Sequence, residues 1–70
     1  MSPQHLTRRE REVLVVLTQN GASNREIARA LYLSESTIKA HMTSTMIKLG
    51  ARNRTHLALI AAALLSQDAT

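Results

Sequence analysis

Seventy residues with no cysteine and a single aromatic, Tyr32, make one small domain whose core must be built from Leu, Ile, Val, Met and Ala. This composition excludes disulfides and thiolate metal sites, fits a reducing cytoplasm, and leaves no aromatic platform on which a reader of single strands would stack bases. The net charge of +4 is unevenly placed: residues 1–35 hold five Lys and Arg against four Glu, residues 36–70 hold four against Asp68 alone, and no acid occurs from Ser36 to Gln67.

A one-sided positive field suits a polyanion such as nucleic acid, although a merely solvated basic surface would read the same way. No apolar run approaches the roughly 20 residues of a membrane span, and the start lacks a signal-peptide core, so a cytoplasmic location is expected. His5, His41 and His56 are scattered without the spacing of a zinc site. No metal, cofactor or small-molecule ligand is expected. Nor is an enzyme, because no nucleophile, paired base or metal set is present.

Four helices are predicted, each from its start signal. Thr7 followed by Glu10 is a capping box opening a helix through Val13, Leu14 and Leu17, with Leu6 stapling its start and "NG" at Asn20-Gly21 ending it. Ser23 followed by Glu26 is a second box, opening a short helix through Ile27, Ala28 and Leu31. After "YLS", Ser34 caps a third helix that runs to Gly50, with Glu35 beside the positive end of its dipole. Asn53 caps a fourth, "RTHLALIAAALL". With no alternating strand pattern, the fold class is all-α, a four-helix domain without a wing.

Helical spacing puts Ile38, Met42, Thr45, Met46 and Leu49 on the inner stripe of the third helix. Ser36, Ala40, Thr43, Ser44 and Ile47 lie opposite, with Thr37 and Lys39 at the margins. A short helix, a three-residue turn and a longer helix with so divided a face form a helix-turn-helix unit, whose second helix can enter the major groove. Short, acid-free side chains let the backbone come close to a polyanion. A tight pair of helices also occurs in proteins that never touch DNA.

"LTRREREVL" (Leu6–Leu14), "SNREIARAL" (Ser23–Leu31) and "STIKAHMTSTMIKLGARNR" (Ser36–Arg54) resemble the LuxR/FixJ-type helix-turn-helix domain, which includes NarL-like response-regulator output domains and stand-alone GerE-like proteins. The resemblance runs from about Leu6 to Leu65. It implies sequence-specific binding of double-stranded DNA by a transcription regulator, with the helix at about residues 35–49 in the major groove of two half-sites read by a homodimer. By matching position, Lys39 falls on the lysine of the family's T-V-K-x-H signature at the DNA, and Thr37 on its threonine near a phosphate. Asn24 and Arg25 fall on the S-N-K stretch expected at the backbone, and Ala40 and Thr43 on variable positions of the groove face.

Ser36 and Ser44 complete the expected contacts on the third helix. Of Arg52 and Arg54, one would reach a phosphate and the other tie the loop; Arg54 is placed with the DNA contacts. Three departures stand out: Thr45 where the family has Ile, Ile47 where a polar or basic residue is common, and Tyr32 in a turn that favours Gly.

Lys48 is expected to pair with Glu10 or Glu12. His41 is expected to be packed and hydrogen-bonded, with Met42 and Met46 as core filler. The fourth helix is apolar nearly all round: Leu57, Ile60, Ala61 and Leu64 form its inner stripe, and Leu59, Ala62, Ala63 and Ser66 an outer face suited to a two-fold dimer. The domain is expected at 6–66, with tails at 1–5 and 67–70. Expected partners are double-stranded DNA, a second copy and RNA polymerase. The alternative is a protein-interaction module that kept the fold and lost DNA binding, for which Ile47 is the best support.

Overall fold

The computed structural model describes residues 6–68, and the tails expected at 1–5 and 67–70 lie outside it but for the backbone of 67 and 68. The described chain forms four helices and no strand: α1 Arg8–Asn20, α2 Asn24–Leu31, α3 Glu35–Leu49 and α4 Arg54–Asp68.

Every start is capped as its sequence predicts. The Thr7 hydroxyl accepts from the Glu10 amide at 3.1 Å while the Glu10 carboxylate accepts from the Thr7 amide at 2.9 Å. Ser23 and Glu26 repeat the exchange at 3.2 and 2.8 Å, which holds the Glu26 carboxyl below its ordinary range. The Ser34 hydroxyl accepts from the Thr37 amide, and the Asn53 side chain from the His56 amide. His56 then closes the α4 start from the other side, its Nδ1 accepting from the Arg52 amide at 3.0 Å.

The helix ends show what the turn requires. After α3, Gly50 sits at φ 67° and its amide donates to Ile47, while Ala51 donates to Met46 at 2.9 Å. These two bonds make a Schellman motif, which needs a left-handed residue. The turn after α2 is the same motif: Tyr32 donates to Arg29 at 3.4 Å and Leu33 to Ala28 at 2.9 Å, with Tyr32 at φ 59°. Leu33 packs on the core while Tyr32 is 94% exposed. Thus the left-handed conformation is imposed by the hydrogen bonds and Leu33, and the Tyr ring contributes no packing in return.

Val13, Leu14 and Leu17 of α1 meet Ile27 and Ala28 of α2, Ile38 and Met42 of α3, and Leu57 and Ala61 of α4 in one core. Thr45, fully buried, returns its hydroxyl to the Met42 carbonyl at 2.9 Å, so it leaves no unsatisfied donor. In α4 the inner residues are Leu57, Ala58, Ala61 and Leu65. The predicted Ile60 and Leu64 are half-buried, as Ala58 and Leu65 are, but do not pack against the core cluster. A helix apolar on every side offers no polar contrast from which its phase can be read. The His41 side chain is half-buried and makes no hydrogen bond to another described residue, so it packs without the expected partner.

Among the described residues Glu10 is the one ionisable side chain in the core, 3% exposed. It lies on the same stripe as Val13, Leu14 and Leu17, and receives the Thr7 amide, the Ser44 hydroxyl at 2.6 Å and the Lys48 ammonium at 2.7 Å. Burial raises its pKa, yet the Lys48, Ser44 and Thr7 donors outweigh burial and bring it from the usual 4.5 to about 2.

Two predictions follow from this packing. A depressed carboxylate stabilises fully above its unfolded pKa and loses that contribution as pH falls from 4.5 towards 2. Glu10→Gln should therefore cost on the order of 2–3 kcal/mol in urea unfolding at pH 7. The gap between wild type and variant should narrow steadily as pH falls from 4.5 to 2, and a constant gap across that range would contradict the assignment. Separately, Tyr32→Gly relieves left-handed strain of about 1–2 kcal/mol, less the added entropy of the unfolded chain, for a net gain of about 0.5–1 kcal/mol. An unchanged or lowered unfolding midpoint would contradict the strain.

Candidate nucleic-acid interface

The orientation of α3 is set by its two contacts with Glu10. Ser44 and Lys48 are one turn apart on one edge of the helix, and both reach the same carboxylate of α1. With that edge held and Ile38, Met42 and Thr45 buried, the opposite side is left to solvent. Ser36, Lys39, Ala40, Thr43 and Ile47 are exposed there, Ile47 to 76%. Among these five, Lys39 carries the only charge.

The hydroxyls at the start of α3 are linked. Ser34 Oγ lies 2.9 Å from Thr37 Oγ1 and 3.5 Å from Ser36 Oγ. Thr37 is half-buried and Ser36 exposed, so Ser36 presents the more accessible donor. Thr43, exposed, donates its hydroxyl to the Lys39 carbonyl at 3.1 Å, so the hydroxyl retains its acceptor capacity.

Two expected contacts are placed differently. Ser44 is half-buried and spends its hydroxyl on Glu10, so it does not belong to the outward face with Ala40 and Thr43. Its position on the helix circumference is marginal, and α1 covers that margin. Arg54 is half-buried: it donates to Asn24 Oδ1 at 2.7 Å and to the Ala22 carbonyl. The loop tie therefore falls to Arg54, and Arg52 is the exposed member of the pair. Asn24 and Arg25 stand in the first turn of α2, Asn24 half-buried and Arg25 exposed.

Lys48 pairs with Glu10 rather than Glu12, which faces Arg9 at 3.0 Å. Glu10 is the residue whose weight the sequence understates, although its place on the apolar stripe of α1 is the available signal. On α4, Leu59, Ala62, Ala63 and Ser66 are all exposed, Leu59 to 67%. Among the described residues no group of His, Cys, Asp and Glu is arranged to hold a metal ion, and no helix is long and apolar enough to cross a membrane.

Known proteins of this kind are transcription regulators. The family described as bacterial regulatory proteins, luxR family, matches residues 4–61. The uncharacterized transcriptional regulatory protein YhcZ of Bacillus subtilis (strain 168) is 50% identical over 56 residues, 80% of this chain and 26% of that protein. The CsgBAC operon transcriptional regulatory protein of Escherichia coli (strain K12) is 50% identical over 50 residues, 71% of this chain and 23% of that protein. The spore germination protein GerE of Bacillus subtilis is 45% identical over 49 residues, 70% of this chain and 65% of its own length. The chain thus spans about a quarter of the first two relatives and under two thirds of GerE. No solved structure matches. With the family matched over most of the chain and all four helices in place, the chain belongs to the luxR family of bacterial regulatory proteins and folds as a helix-turn-helix domain.

Proposed function

We propose that this domain binds double-stranded DNA sequence-specifically, as a transcription regulator or as the output domain of one. The observation that carries the reading is the outward face of α3: Ser36, Lys39, Ala40 and Thr43, small or basic and free of acid, on a helix whose rotation is fixed by Glu10. A major groove about 12 Å wide admits an α-helix, and the short side chains of Ser36, Ala40 and Thr43 let the backbone of α3 come close to the base edges. In this arrangement Lys39 reaches base edges or a phosphate, Ala40 and Thr43 select bases, and Ser36, Thr37, Asn24 and Arg25 hold the backbone. Contacts to phosphate set the register, and contacts to bases set the sequence.

The domain measures 30 × 22 × 21 Å and holds one helix-turn-helix unit. Reading two half-sites about 34 Å apart therefore requires two copies. The exposed apolar face of α4, Leu59, Ala62 and Ala63 with Ser66, is the surface through which they pair.

A second reading rests on Ile47. Its 76% exposure on the same face suits a thymine methyl in the groove, but equally an apolar patch on a partner protein such as RNA polymerase. Titrating duplex DNA at two salt concentrations separates the two. The DNA reading expects affinity to fall steeply with salt, by roughly 0.9 log units per log unit of salt for each phosphate engaged. It also expects Lys39→Glu to weaken binding at least about tenfold, and Leu59→Glu to weaken binding to paired half-sites while sparing a single one. Undetectable wild-type binding in about 50 mM salt would leave only the partner-protein reading.

A further inference from the structure

The bonds of Arg54 join two helices that do not otherwise pack against one another among the described residues. α4 contacts α1 and α3, and α2 contacts α1 and α3, with no direct α2–α4 packing. Across that gap the Arg54 side chain, from the first position of α4, donates to Asn24 Oδ1 at 2.7 Å and to the carbonyl of buried Ala22.

The chemistry of this pair is directional. A guanidinium has five N–H donors and no acceptor, so the Asn24 amide must turn its oxygen inward to meet it. The Nδ2 amino group, which can only donate, is thereby left pointing away from Arg54. Holding the Ala22 carbonyl as well fixes the loop immediately before α2, and with it the first turn in which Asn24 and Arg25 stand. A planar fork can make both bonds at once, whereas an ammonium acts as a single point charge and cannot reproduce that geometry.

We infer that Arg54 is a positioning residue for DNA binding: from the start of α4 it orients the Asn24 amide, so that Nδ2 donates to a backbone phosphate at the start of α2. This rests on the DNA reading above. It makes Arg54 an indirect determinant of affinity, and it links the helix proposed for pairing to the first turn of α2. Because Asn24 is neutral, its contact releases no counterion of its own, so the signature differs from that of a cation placed on a phosphate.

The test is a double-mutant cycle on duplex affinity across several salt concentrations, using wild type, Arg54→Lys, Arg54→Gln, Asn24→Ala and Arg54→Gln/Asn24→Ala. Thermal unfolding of each reports that the fold is intact. Arg54→Lys keeps the charge and should still weaken binding about fivefold to tenfold, with the salt slope unchanged. Arg54→Gln should also weaken binding with the slope unchanged, and in the Asn24→Ala background it should add less than about twofold. Neutral Arg54→Lys, or a slope reduced by about one in Arg54→Gln with its loss persisting in Asn24→Ala, would show a direct phosphate contact and overturn the inference. Additive losses at an unchanged slope would overturn it too. Absence of wild-type binding would remove the DNA reading itself, and this inference with it.

Discussion

The buried carboxylate of Glu10 is the constraint on which the arrangement of α3 depends. It lies in the core between α1 and α3 and takes donors from three places: its own helix cap, Ser44 and Lys48. A buried anion without partners would cost several kcal/mol, so these bonds are required rather than optional. Apolar packing of Ile38 and Met42 alone would tolerate some rotation of α3 about its axis. Two bonds from residues one turn apart to a single carboxylate do not. The surface offered to solvent is thereby chosen.

The other helices act on the same result. Ser23 and Ser34 start α2 and α3 on either side of a Schellman turn, which bends the chain within three residues. Leu33 anchors that turn in the core, so Tyr32 is carried into the left-handed region without any gain from its own ring. Arg54 ties the loop before α2 to the start of α4. Each of these is a specific hydrogen bond set against a small apolar core, as expected for a domain too short to rely on core volume alone.

The features that could be read from the sequence are those decided locally. Caps act over three residues, so Thr7, Ser23, Ser34 and Asn53 each marked a helix start correctly. The inner stripe of α3 is legible from the helical spacing of Ile38, Met42, Met46 and Leu49, although Ile47 lies outside the stripe and Thr45 lies within it by bonding its own helix. What depends on a distant segment was less legible. Ser44 sits at a margin, and only the packing of α1 over that margin decides that it faces Glu10. The choice between Arg52 and Arg54 depends on where the loop before α2 passes. The phase of α4 is not legible at Ile60 and Leu64 because Ala and Leu surround the helix. The His41 side chain, half-buried, finds no hydrogen-bond partner among the described residues, which spacing alone does not reveal.

One face of α3, oriented by Glu10, is the surface proposed to meet duplex DNA. Mapping backbone amide shifts by NMR while titrating a duplex selected from a random pool tests that claim most directly. The largest changes should fall on Ser36, Lys39, Ala40 and Thr43 and on the first turn of α2 at Asn24 and Arg25, and Glu10→Gln should weaken or scatter them. Changes confined to the Leu59–Ser66 face of α4, or to Ile47 and Tyr32 with Lys39 and Ala40 unmoved, would contradict it.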